Sequence, residues 1–142
     1  SFPRTGDSKH FKMAKIKHIA IRTVDVEKTS TFYKEVFGLH QVGLGQNGVY
    51  LSDGHLNLAI LKSHRDGENE SSALGIEHIG FQVEDVDETL AKLSQMGGKP
   101  MSDPVKVSPT DPSNPQSYYE IKCLGPDEQI IDVSTSGWVG TD

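Results

Sequence analysis

The chain has 142 residues, enough for one compact domain or two small halves sharing a core. A formal net charge of −6, with 14 scattered basic residues, excludes the clustered Lys and Arg that a nucleic-acid groove or an anionic membrane surface requires. One cysteine, Cys123, leaves no internal disulfide and fits a reducing, cytoplasmic compartment, and no apolar run approaches the roughly 20 residues of a membrane span.

Residues 1–13 lack the continuous apolar core of a secretory signal and read as a disordered leader or an expression scar, with His10 a bystander. From Ile16 to Thr23 the chain alternates, which predicts a strand with two different faces. Asp25 sits where a helix N-cap belongs, and Val26, Thr29, Phe32, Tyr33, Val36 and Phe37 trace one face of the helix that follows. Gly38 supplies its stop. Three strand-like runs come next, at about 39–45, 47–52 and 55–62, separated by turns at Gln46-Asn47-Gly48 and Ser52-Asp53-Gly54.

The chain then repeats itself. "HIAIRTVDVEKTSTFYKEVFG" from His18 and "HIGFQVEDVDETLAKLSQMGG" from His78 are identical at six of 21 positions at an offset of 60: His18/His78, Ile19/Ile79, Asp25/Asp85, Val26/Val86, Thr29/Thr89 and Gly38/Gly98. The second copy predicts a strand over 76–83, an N-cap at Asp85 with Glu88 completing a capping-box pattern, and a helix with Val86, Leu90, Leu93 and Met96 on one face. Gly97-Gly98 ends it. Strands are expected at about 99–107, 117–124 and 128–135, with a Pro- and Ser-rich surface loop at 108–117. The order βαβββ therefore occurs twice, in modules of about 14–65 and 74–138.

Alternation assigns companions to each histidine. His18 shares a face with Ala20 and Arg22, and His78 with Gly80 and Gln82, while Ile19, Ile21, Ile79, Phe81 and Val83 oppose them. A polar residue followed by a very small one leaves room, and a face with room and polar groups suits a pocket wall better than a packed interior. The last strand of each half repeats the arrangement: "HLNLAIL" places Asn57 with His55 and Ala59, and "QIIDVST" places Asp132 with Ile130 and Ser134. Two repeats related by an approximate two-fold would bring His18, Asn57, His78 and Asp132 onto one concave surface.

Taken together, "KHIAIRTVDVEKTSTFYKEVFGL", "IEHIGFQVEDVDETLAKLSQMGG" and "GPDEQIIDV" resemble the vicinal oxygen chelate superfamily, which includes glyoxalase I, methylmalonyl-CoA epimerase, extradiol dioxygenases and bleomycin-binding proteins. The resemblance covers about residues 15–137. It implies an α+β fold in which two βαβββ modules form a cupped, mixed and antiparallel sheet with helices on its outer face. It also implies metal ligands from the first and last strands of each module, which by position are His18, His78, Asp132 and possibly Asn57. A homodimer acting on a small-molecule substrate is a further implication.

Two imidazoles and one carboxylate leave open positions on a divalent ion; Fe, Mn, Ni, Co or Zn can bind such a set. This sequence departs from glyoxalase-like members, which usually have Glu or Gln at the Asn57 position and Glu at the Asp132 position. Proton abstraction next to a carbonyl needs a carboxylate base, and Asn57 cannot serve. Glu120 is a substitute if it points inward; Tyr118, Tyr119 and His55 are acid–base candidates for a dioxygenase. Arg22 could receive a substrate carboxylate or phosphate, with Gln82, Ala59 and Gly80 lining the same wall. His40 and His64 read as exposed turn residues, and Trp138 as a side chain closing one end of the cavity or packing between subunits. Two functions follow: a metalloenzyme of the lyase/isomerase or dioxygenase branch, or a metal-free module that sequesters a small molecule.

Overall fold

The computed structural model of the protein describes residues 13–64, 73–101, 105–107 and 118–142, so the leader up to residue 12 and the loop at 108–117 lie outside the described residues. The first half contains β1 (Lys15–Thr23), α1 (Val26–Phe37), β2 (His40–Gly45), β3 (Gly48–Ser52) and β4 (Asn57–Lys62). The second contains β5 (Gly75–Gln82), α2 (Val86–Gln95), β6 (Lys99–Pro100), β7 (Val105–Val107), β8 (Tyr118–Leu124) and β9 (Ile130–Ser134). The single strand expected at 99–107 is divided into β6 and β7, both pairing with β8. Pro100 has no N–H to give a ladder.

The strands form one open, mixed sheet in the order β2-β3-β4-β1-β5-β9-β8-β6. β1 and β5 pair antiparallel at its centre, each flanked by a parallel neighbour: β4 beside β1 and β9 beside β5. The repeat in the sequence thus becomes a pseudo-two-fold between the two histidine strands.

That central pairing carries two symmetric irregularities. Ile16 pairs with Phe81 and His18 with Gly80, so Lys17 is an extra residue in β1. Ala20 pairs with His78 and Ile21 with Ile76, so Glu77 is an extra residue in β5. Lys17 and Glu77 are related by the same offset of 60. A bulge of this kind reverses which face the following side chain takes. It puts Ile16 and Ile76 on the convex face, although strict alternation would have grouped them with the histidines.

Asp25 and Asp85 cap the helices as expected, accepting from the backbone N–H of Lys28 and Glu88. Gly38, at φ 73°, ends α1 in the left-handed conformation that a side chain would disfavour. α1 lies over β3 and β4, and α2 against β6. Under α2, Val86, Leu90 and Leu93 pack on Val83, Ile121, Cys123 and Val133. The expected apolar face of α1 is only partly used. Val26, Thr29, Ser30 and Tyr33 turn inward, whereas Phe32, Val36 and Phe37 are exposed. Met96 at the end of α2 is exposed as well.

Candidate metal centre

The parallel pairings bring the polar residues together. His18 is in register with Asn57 on β4, and Asp132 on β9 is in register with Gly80, two residues past His78 on β5. His18, His78 and Asp132 consequently converge on the concave side of the sheet, each offering a donor atom within 4.8 Å of the others.

The hydrogen bonds fix how the imidazoles present themselves. Asn57 Oδ1 can only accept, so the His18 Nδ1–H donates to it, at 2.7 Å. The His78 Nδ1–H donates to the Glu77 carboxylate at 2.8 Å. With its Nδ1–H engaged in this way, each ring turns Nε2 inward. These two Nε2 atoms lie 3.2 Å apart, and Asp132 Oδ2 stands 3.1 Å from His78 Nε2 and 3.8 Å from His18 Nε2. The Asp132 side chain is fully buried. Three buried polar atoms this close need a proton or a cation among them. Two imidazole nitrogens and one carboxylate oxygen fit a divalent transition ion, so the donor set suits the metal the fold implies.

Burial holds the His18 imidazole down to about 4, against 6.5 ordinarily, which keeps it neutral and able to donate its lone pair. Burial would raise Asp132, but the adjacent His78 ring and the Lys122 ammonium overcome it and hold the carboxyl well below its usual range. Lys122 faces Asp132 across β8 and β9, with Nζ 2.6 Å from Oδ1. Glu120 lies two residues before Lys122 on β8 and so shares its face. Burial and the Asp132 charge push Glu120 up to about 7.

Asn57 is placed behind His18. Its Oδ1 is occupied by the far ring nitrogen and its Nδ2 donates to Val139 O at 2.9 Å, so it orients a candidate ligand instead of offering a fourth donor. Arg22 is engaged on the rim: Nε donates to Glu77 Oε2 at 2.8 Å and a terminal nitrogen donates to Lys62 O. The room read beside Gly80 is filled by the chain itself. A Cβ there would stand 2.7 Å from both the His18 Cβ and the Trp138 ring. Ala59 is fully buried opposite Ala20. Gln82 donates to Thr135 O.

His55 lies apart from the three donors, on an exposed turn, with Nδ1 2.9 Å from Asp142 Oδ2. His40 and His64 are exposed, as expected. The side chains of Tyr118 and Tyr119 lie outside the described residues. Trp138 is buried and stacks on His18, with ring centroids 4.8 Å apart and planes 2° from parallel.

Two participants escaped the sequence reading. Glu77 grips both His78 and Arg22, and its position directly before the histidine, matching Lys17 in the other copy, was the available signal. Lys122 was legible only through cross-strand register with Asp132.

A pair of βαβββ halves joined at β1 and β5, with two histidines and an aspartate in the cup, defines the class of protein. The model of the Glyoxalase/Bleomycin resistance protein/Dioxygenase superfamily matches residues 15–117, and the chain belongs to that family. A search of curated proteins found no match. Among solved structures, methylmalonyl-CoA epimerase in complex with methylmalonyl-CoA and NH4+ is similar at 20% identity and TM-score 0.66, covering 92% of this chain and 100% of the epimerase. The Mn(II)-bound glyoxalase from Novosphingobium aromaticivorans is similar at 19% identity and TM-score 0.67, covering 92% of this chain and 42% of the glyoxalase. The 2,3-dioxygenase LapB from Pseudomonas sp. KL28 is similar at 21% identity and TM-score 0.59, covering 89% of this chain and 42% of LapB. At these identities the likeness shows the shared fold.

Proposed function

We propose that the chain is a metalloenzyme that holds a divalent ion on His18, His78 and Asp132 and acts on a small, oxygen-rich substrate. The observation that carries this reading is the inward convergence of two Nε2 atoms and one carboxylate oxygen, all buried and within 4.8 Å of one another. A divalent ion bound there would supply Lewis-acid polarisation of substrate oxygens. Asn57 and Glu77 hold the two rings in the tautomer that presents Nε2. Lys122 neutralises the second oxygen of Asp132.

Glu120 supplies the acid–base group. A carboxyl group near neutrality both takes and returns a proton at physiological pH. This favours the lyase/isomerase branch, in which a proton is removed beside a carbonyl, over the dioxygenase branch. The epimerase and glyoxalase neighbours are named for such chemistry. A homodimer is part of the same reading, supported by Ile16, Ile76 and Ile79 exposed on the convex face.

Elemental analysis after reconstitution with Mn, Co, Ni, Zn and Fe(II) tests the proposal. It predicts close to one metal per chain, abolished in His78→Ala. No uptake of any of the five ions leaves the metal-free sequestering module as the function.

A further inference from the structure

His18, His78 and Asp132 are 4%, 5% and 0% exposed. Neither an ion nor a substrate reaches them unless something moves. The piece lying directly on His18 is Trp138, itself 3% exposed and stacked flat on the imidazole. It belongs to residues 135–142, which follow β9 and form no strand of the sheet.

This segment is held by separate side-chain tethers, not by a ladder. Asn57 Nδ2 donates to Val139 O, and Ser52 Oγ donates to Gly140 O at 2.7 Å. At its far end the Asp142 carboxylate bonds the Lys17 ammonium and the His55 ring. Thr141 closes a local turn onto Trp138 O through its hydroxyl and its backbone N–H, so 138–141 form one small unit. Gly137, at φ 78°, precedes the unit in a conformation that side chains disfavour. Removing β1 or β5 from the centre would break a whole ladder. Lifting this segment breaks isolated side-chain bonds at Thr135, Val139, Gly140 and Asp142 together with the Trp138–His18 stack, and partly exposed ion pairs hold weakly.

We propose that residues 135–142 are a lid over the centre, with Trp138 as the group that blocks His18 and the Lys17–Asp142–His55 cluster as its latch. The proposal rests on the metal-centre reading for what the lid admits, but not for its motion. It gives Lys17, the bulge residue of β1, a role that parallels Glu77: each ties down a structure that controls the neighbouring histidine. It also accounts for Asn57, which joins His18 to the lid backbone through its two amide atoms.

Trp138 is the only tryptophan in the chain, so its fluorescence reports the lid alone. The experiment compares wild type with Asp142→Asn, which weakens both latch ion pairs, and Ser52→Ala, which removes the bond to Gly140 O; neither residue belongs to the donor set. In metal-free protein, acrylamide quenching of Trp138 should rise by about two- to five-fold in either variant, the shift expected for losing one weak tether. Stopped-flow quenching by Co2+ should show association and dissociation both accelerated by the same factor, leaving Kd within about two-fold. Acrylamide quenching equal to wild type in both variants overturns the lid. So does increased quenching with unchanged Co2+ rates, because the segment would then move without gating the centre. Increased acrylamide quenching with no Co2+ binding in any form refutes the metal centre and leaves the lid standing.

Discussion

Replacing Gly80 with alanine tests how tightly the cup is filled. The new Cβ would stand 2.7 Å from the His18 Cβ and 2.7 and 2.8 Å from two Trp138 ring carbons. No heavy-atom contact survives at that distance, so one neighbour must leave. His18 is fixed by its strand and by Asn57, whereas Trp138 sits on a segment held by side-chain tethers. Gly80→Ala should therefore expel the indole. Exposing a buried aromatic side chain costs about 1.5–3 kcal/mol, and losing its ring stack about 0.5–1.5 kcal/mol more. A total near 2–4 kcal/mol corresponds to a fall in Tm of roughly 6–12 °C at this chain length. The assay is thermal unfolding followed by circular dichroism, with tryptophan emission recorded on the same samples. A red-shifted emission with the lower Tm is expected. A Tm within about 1 °C of wild type together with unshifted emission would show that Trp138 does not lie against β5, and the reasoning would fail.

Glu77→Gln keeps the shape but weakens the grip on the His78 Nδ1–H and loses the Arg22 ion pair; Co2+ affinity measured by calorimetry should drop about 10- to 100-fold, and an unchanged Kd would deny Glu77 that role. Lys122→Met leaves Asp132 without its compensating charge, so the metal-free protein should lose about 1–3 kcal/mol in urea unfolding. Saturating metal should restore most of that loss, because ligand binds only the folded state, and stability indifferent to metal would count against the centre. Glu120 is held near 7 in the fold against 4.5 ordinarily, so between those values the folded chain keeps a proton that the unfolded chain has lost. Its contribution to stability falls as pH rises from about 4.5 through 7. Glu120→Gln should then be more stable than wild type by about 1–3 kcal/mol at pH 8 and by much less at pH 5. A pH-independent difference in urea titrations would place Glu120 in solvent.

Much of this molecule was legible because duplication aligns distant residues. The offset of 60 marked His18 and His78 as equivalents, and alternation put them on one face with Ala20 and Gly80. The strands holding Asn57 and Asp132 followed from "LNL" and "IDV". What alternation could not show is where it breaks. The bulges at Lys17 and Glu77 depend on how β1 pairs with β5, a partner 60 residues away, and they decide that Ile16 and Ile76 face outward. The use of α1 was misjudged for a related reason: the helix rests on β3 and β4, so Phe32, Val36 and Phe37 lie off the contact. The role of Asn57 turned on one methylene. Its short side chain meets Nδ1 of His18, a pairing set by the parallel register of β1 and β4 and not by the strand pattern. The pocket beside Gly80 was read as space for substrate because nothing in the strand pattern showed Trp138 returning to fill it.

The central claim is that the two imidazoles and Asp132 grip one cation. An anomalous difference map from crystals soaked in Mn2+ tests it directly. The account predicts a single strong peak bonded to His18 Nε2, His78 Nε2 and Asp132 Oδ2, with Asn57 still bound to His18 Nδ1. A peak elsewhere, or no peak at full soaking with the three side chains unchanged, would contradict it.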